Sequence, residues 1–156
     1  LVDLLKEYNG QFGIELLVMN GEDYYGANGE LLYLEQNEGQ LNNIKLFINM
    51  DALGYVQGRT AFSFYNLLEQ DLILLRQQLA LNEGLLEGEP WYQSDHSIVV
   101  MKGRPAVAVT SEHFMEITRK FTHTLRDLPA LVDTQKLVQA ALAIRQMVNV
   151  FSAREE

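Results

Sequence analysis

The chain contains no cysteine, and this absence limits the chemistry available to it. Without cysteine there is no disulfide framework, and no thiolate is available to bind a metal ion. Any metal site must therefore be built from carboxylate oxygens and imidazole nitrogens. The same absence gives no information about the redox compartment in which the protein works.

Basic residues are also scarce, with 12 Lys and Arg against 21 Asp and Glu and a formal net charge of −9. A negative surface repels phosphate backbones and anionic lipid, so nucleic-acid binding and membrane-surface binding are both disfavoured. No apolar run approaches the roughly 20 residues of a membrane-spanning helix, and we expect no membrane insertion. Cytoplasmic and secreted locations both remain open.

The length and composition favour one domain over residues 1–156. With 47% hydrophobic residues the chain can form a real core, but 156 residues are too few for two ordinary domains. The chain opens at Leu1 with a helical pattern that has neither an initiating Met nor a capping residue. We therefore expect it to be a segment of a longer protein.

Helical and strand-like patterns alternate along the sequence, which predicts an α/β fold. The sheet is predicted to be mostly parallel and layered, with helices on both of its faces. Apolar or β-branched runs predict strands at 12–19, 44–50, 60–65 and 105–110. Helical spacing predicts helices at 1–8, 28–36 and 67–81, and a final helix that begins at Asp133 or Thr134 and carries Leu137, Ala141, Ile144, Val148 and Phe151.

Acidic residues and one histidine stand where these predicted elements end. Glu22 and Asp23 follow the first strand, Asp51 follows the second, and His123 opens a loop after a helix-like stretch. Ligands and chemistry collect at the carboxyl ends of strands in open α/β sheets, which suggests a functional site. Each residue also has an ordinary interpretation: the acids could favour a helix dipole or form a turn, and the histidine could cap a helix or lie on the surface.

Four segments resemble those of the co-catalytic zinc aminopeptidases, the family that includes bacterial leucyl aminopeptidase, glutamate carboxypeptidase and glutaminyl cyclase. Residues 20–26 resemble its Gly-Glu-Glu segment, and residues 49–54 its Asn-Xaa-Asp-Met-Ile-Gly segment. Residues 94–96, followed by 102–106, match its Ser-Asp-His and Gly-Ile-Pro-Ala pair, and residues 123–127 resemble its His-Thr-Pro-Xaa-Asp loop. The segments occur in the family's order and span nearly the whole chain.

The resemblance implies a fold of the zinc-exopeptidase (phosphorylase/hydrolase-like) type and a site with two zinc ions that removes N-terminal residues from peptides. Glu22 would be the general base, Asp23 and His123 would bind one zinc, and Asp51 would bind the other. Three further residues would lie beside the ligands or the substrate: Asp95, His96 and Asp127. Trp91, Tyr92 and Phe121 could line a side-chain pocket, although aromatic residues at such positions often belong to the core.

Two of the family's metal ligands have no counterpart here, because neither its His-Xaa-Asp segment nor its bridging Asp is present. The resemblance implies that this chain is the C-terminal portion of a catalytic domain, truncated at its N-terminal side. Such a chain would bind zinc incompletely or not at all, would be inactive alone, and would have an exposed sheet edge open to self-association. Two alternatives remain open, a non-catalytic interaction module of the same fold and a single-zinc enzyme similar to glutaminyl cyclase.

Overall fold

The computed structural model describes residues 1–21 and 27–153. Within those residues the helices and strands follow one another in an α/β arrangement. The helices are α1 (Val2–Leu5), α2 (Asn28–Asn37), α3 (Glu69–Ala80), α4 (Ser97–Val100), α5 (Phe114–Lys120) and α6 (Thr134–Ser152). The strands are β1 (Phe47–Met50), β2 (Thr60–Tyr65), β3 (Leu85–Glu87) and β4 (Ala106–Ser111), and short 3-10 helices occupy Leu41–Asn43 and Pro129–Leu131.

The four strands form one mixed sheet in the order β1-β4-β2-β3. β1 runs parallel to β4, and β2 runs parallel to β3. β2 and β4 are antiparallel, with Thr60 opposite Ser111 and Tyr65 opposite Ala106. The predicted α/β class with a mainly parallel sheet is confirmed, since two of these three pairings are parallel.

Helices cover both faces of the sheet, because successive side chains of a strand point to opposite faces. On β4, Val107 and Val109 face one side, while Ala106 and Ala108 face the other. The valines belong to a core formed with α3 and α6, whose other members are Phe62, Leu75, Leu79, Leu85, Ile144 and Met147. The alanines pack against Tyr65, Trp91, Ile98 and Val99 on the opposite face.

Strand β1 is shorter than the predicted run 44–50, and its limits define where the candidate site begins. The guanidinium of Arg104 donates hydrogen bonds to the carbonyls of Asn42 and Ile44, at 3.0 and 2.6 Å. Those two carbonyls bond to the Arg104 side chain, and the pairing of β1 with β4 starts only at Phe47. At the other end the backbone N–H of Asp51 donates to Val109, which places Asp51 immediately after the strand.

The predicted buried strand at 12–19 is wrong. The segment forms no strand, and Ile14, Leu16 and Val18 are 44%, 56% and 86% exposed. Apolar composition gives a segment a tendency to extend, but a strand also needs a neighbour that pairs with its N–H and C=O groups. Within the described ranges no strand pairs with 12–19, and β1 has a paired neighbour on one side only.

The final helix was predicted most accurately. Asp133 is its N-cap, since its carboxylate accepts a hydrogen bond of 2.9 Å from the N–H of Gln135. Ile144 and Phe151 of the predicted stripe are buried, whereas Leu137 is 38% exposed. β3 and α4 were not predicted, because three or four residues are too few to show a period. In the parts of the chain described, no helix is both long and apolar enough to cross a membrane.

Candidate active site

A cavity of about 510 Å³ opens beyond the carboxyl end of β1. Asp51, His123 and Asp127 all line it, so the fold brings together three residues singled out by the sequence. The remaining wall has a polar part, which includes Gln93, Thr118 and Thr122. Its apolar part, called the apolar wall below, is built from Leu53, Tyr55, Phe114, Ile117, Phe121, Leu131 and Val132. The predicted base Glu22 and the predicted ligand Asp23 lie outside the described residues.

The turn after β1 fixes the direction in which the chain leaves Asp51. Ala52 has a left-handed backbone with φ of 51°, which is unfavourable for a residue with a Cβ atom. The hydroxyl of Ser111, at the end of β4, donates to the Ala52 carbonyl at 2.7 Å and accepts from the N–H of Tyr55 at 3.1 Å. One buried hydroxyl therefore holds both ends of the turn between Asp51 and the apolar wall.

His123 also lines the cavity and also has a left-handed backbone, with φ of 58°. It follows the end of α5, where the N–H and the hydroxyl of Thr124 both bond to the carbonyl of Phe121. The N–H of Asp127 then donates to Thr124, which closes the loop. A non-glycine residue stays in this backbone region only when the surrounding structure imposes the strain. Such residues cluster at functional sites.

A buried hydrogen-bond chain orients the carboxylate of Asp51. The Ser94 hydroxyl donates to Asp51 Oδ2 at 2.9 Å, and the Asn49 amide donates to Ser94 Oγ at 2.9 Å. The same amide lies 3.2 Å from His96 Nδ1, and His96 Nε2 lies 2.7 Å from the Trp91 carbonyl. A carbonyl only accepts, so Nε2 carries the proton and Nδ1 accepts from Asn49. The chain of bonds fixes one oxygen of Asp51.

His96 acts through these neighbours, because it does not line the cavity. Its side chain is completely buried between the rings of Tyr65 and Trp91, whose centroids lie 5.0 and 4.7 Å away. Burial lowers the pKa of His96, against the opposing effects of the Trp91 carbonyl and of the negative charges on Asp51 and Asp95. The neutral imidazole is the form that the hydrogen-bond pattern requires.

Asp95 lies next to this chain and makes a different contact. Its carboxyl group hydrogen-bonds to Glu30 on α2 and is not part of the cavity wall. Burial raises the pKa of Glu30, and the hydrogen bond and negative charge of Asp95 raise it further. The contact between the two carboxyl groups links α2 to the turn that carries Ser94.

The donors on the cavity wall fit the chemistry of zinc in type. Zinc takes imidazole nitrogen and carboxylate oxygen, which His123, Asp51 and Asp127 supply. In number they fall short, since residues 1–21 and 27–153 contain no group of three His, Asp or Glu side chains that could hold a metal ion. The described residues on the cavity wall are thus of the types that zinc binds, and the predicted ligand Asp23 lies outside the described residues.

Sequence reasoning did not assign a role to several residues of this site. Asn49 and Ser94 stand inside segments that show the family resemblance, and this was the available signal for them. Of the aromatic residues predicted to lie either in a side-chain pocket or in the core, Phe121 lines the cavity and Trp91 belongs to the core. Nothing in the local pattern distinguishes Phe114 and Ile117, on α5, from ordinary helix-face residues.

Comparison with known proteins identifies the family. Residues 1–148 match the sequence model of peptidase family M28. The aminopeptidase from Aneurinibacillus sp. strain AM-1 superposes with a TM-score of 0.69 at 18% identity, over 88% of this chain and 33% of that one. The LapA aminopeptidase of Legionella pneumophila gives a TM-score of 0.60 at 14% identity, over 82% of this chain and 36% of that one.

At these identities the structural similarity shows the fold alone, and this chain spans about a third of the length of the two aminopeptidases. The comparison with curated proteins gave no match. The family assignment rests on the sequence model, which covers nearly every residue from the first onward. The chain belongs to peptidase family M28.

Proposed function

We propose that the protein is a zinc-dependent aminopeptidase that hydrolyses the N-terminal bond of peptides. The observation that carries this proposal is a single cavity lined both by an oriented carboxylate, Asp51, and by His123, whose backbone is left-handed. Membership of a peptidase family and the fold shared with two aminopeptidases support it. Zinc, when bound in such a site, supplies a water molecule whose pKa is lowered to about 7.

In this proposal the residues of the chain have separate roles in zinc binding and in proton transfer. Asp51 would hold one zinc, with Ser94 fixing the direction of its carboxylate, and His123 would hold the other together with Asp23. Glu22 would accept a proton from the nucleophilic water and deliver it to the departing amine. Asp23 and Glu22 are adjacent in sequence, so the proposed ligand and the proposed base belong to the same short segment.

The apolar wall of the cavity supports an apolar side chain at the substrate's N-terminal residue. The rings of Tyr55 and Phe121 lie 5.8 Å apart, and Phe114 and Ile117 extend the same wall. Burying such a side chain gains roughly 1.5–3 kcal/mol. The carboxylate of Asp127, which is not a proposed zinc ligand, lies on the same cavity and favours the positively charged α-amino group of a peptide.

Hydrolysis of aminoacyl anilides by the full-length protein tests this function directly. We expect turnover of leucyl and phenylalanyl anilides, loss of turnover with a chelator, and recovery when zinc is added. An inactive protein that binds zinc poorly would favour the non-catalytic module. Cyclisation of N-terminal glutamine without anilide hydrolysis would favour the glutaminyl-cyclase-like alternative.

Ser94→Ala should lower zinc affinity by about 10–100-fold, because groups that orient a metal ligand typically have effects of this size. The variant removes the hydroxyl that donates to Asp51 Oδ2 but leaves all of the proposed ligands in place. The measurement is a zinc titration of the full-length protein in a competing chelator.

Ser63→Ala is the matched control for this variant. Ser63 is also buried, and its hydroxyl donates to the carbonyl of Glu89 at 2.8 Å, away from the cavity. It should change stability by about 1 kcal/mol and leave zinc affinity unaltered. Equal zinc affinity in the Ser94 variant and the wild type would remove Ser94 from the account of the site.

A further inference from the structure

Lys136 occupies an unusual position for a cation. It is the third residue of α6, and a positive charge in the first turn of a helix is opposed by the helix dipole. Its Nζ atom lies 2.7 Å from the carbonyl of Tyr55, 2.9 Å from that of Val56 and 2.7 Å from that of Gly58. These three contacts offset the unfavourable position in the helix.

The three carbonyls satisfy the ammonium group completely. A lysine ammonium has three N–H donors, and each of them has one backbone carbonyl as its acceptor. Three carbonyl oxygens that converge on one point carry partial negative charge and repel one another. A cation at the centre relieves this repulsion, as in the carbonyl rings that replace the hydration shell of potassium in channels.

The loop that carries these carbonyls, residues 52–58, connects Asp51 to β2 and supplies Tyr55 to the cavity wall. It is fastened to the start of α6 by further bonds: the N–H of Asp133 donates to Gly54 at 2.7 Å, and the N–H of Val56 donates to Leu131 at 2.9 Å. Lys136 extends this attachment to the far end of the loop, where Gly58 has a φ of 70°.

We propose that the carbonyls of Tyr55, Val56 and Gly58 form a binding site for a monovalent cation, which Lys136 fills with its own tethered ammonium group. The tethered cation positions loop 52–58 and hence the Tyr55 side of the cavity. These three carbonyls, the carbonyl cage, follow from the geometry alone, whereas the effect of the cage on substrate binding rests on the proposed function. When the side chain is shortened, a free potassium or ammonium ion should occupy the same place.

The test compares thermal unfolding of the full-length protein in equal concentrations of potassium, ammonium and lithium chloride. Lys136→Ala should lower the Tm by roughly 5 °C in lithium chloride, a shift of the size expected for losing a charged contact in a domain of this length. Potassium and ammonium should restore at least half of that loss. The wild type, whose cage is filled, should show the same Tm in potassium and lithium.

Two further variants isolate the effect. Lys136→Met fills similar space without a charge, so its loss of Tm should be equal in all three salts. Lys120→Ala is the matched control, since the Lys120 ammonium pairs with Glu116 at 2.9 Å and contacts no carbonyl cage. It should show little change in Tm and no preference among the cations.

A Lys136→Ala protein with an unchanged Tm, with equal loss in all salts, or unfolded in all salts would overturn the cage as a cation site. For the positioning role, KM for a phenylalanyl anilide should rise several-fold in Lys136→Ala in lithium chloride, with kcat changed less, and should recover in potassium. An unchanged KM would overturn the positioning role. If the wild type itself has no peptidase activity, the proposed function fails while the Tm comparison still decides the cage.

Discussion

Glu22→Gln should lower kcat by about 10²- to 10⁴-fold while leaving the zinc content of the full-length protein unchanged. The family resemblance implies that Glu22 is the base, and an amide in its place can neither accept the proton of the attacking water nor return it to the leaving amine. Glutamine has nearly the same size as glutamate, so the shape of the site is retained. The measurement is kcat on a leucyl anilide, with metal analysis of the same sample.

Glu30→Gln provides the matched control. Glu30 lies on α2, does not line the cavity, and makes its contact with Asp95. This variant should keep most of its activity. A Glu22 variant with most of its activity would refute the assignment of the base, and one that loses its zinc would make Glu22 a ligand instead.

Phe62→Ala should lower the free energy of unfolding by about 3–5 kcal/mol, the usual loss for removing a buried aromatic side chain. Phe62 is completely buried on β2, between Val109 of β4 and Glu87 of β3. Its ring belongs to the core formed with Leu75 and Ile144. Since domains are typically stable by only about 5–15 kcal/mol, this single change would remove a large part of the total.

Urea unfolding followed by far-UV circular dichroism measures this loss. Phe64→Ala is the comparison, because Phe64 lies on the same strand and packs against the same core but is only partly buried. Its loss should be clearly smaller. A loss below about 1 kcal/mol for Phe62→Ala would contradict the position of this residue at the centre of the core.

The local sequence pattern was sufficient to predict some helices and strands of the fold but not others. Strand 60–65 and helix α6 were predictable because β-rich alternation and an Asp cap are properties of short stretches of sequence. The strand predicted at 12–19 failed because its formation depends on a neighbour elsewhere in the chain. A sequence shows that a segment is apolar, but it does not show which strand would pair with it.

Some residues of the candidate site were likewise predictable from the sequence, while the contacts between them were not. Asp51 and His123 were found from the ends of elements and from the family resemblance, and the fold places both on one cavity. The bond from Ser94 to Asp51 joins residues 43 positions apart, and those from Lys136 to the loop span 78 to 81 positions. Such contacts exist only after folding. The position of a lysine in the first turn of a helix was the one local sign that a special partner was needed.

The central claim is that Asp51 and His123 bind zinc on one cavity, and a crystal structure of the full-length protein at the zinc absorption edge tests it most directly. We expect two anomalous peaks, one about 2.0–2.2 Å from a carboxylate oxygen of Asp51 and the other about 2.0–2.1 Å from an imidazole nitrogen of His123. An active protein whose zinc lies away from both residues would contradict it.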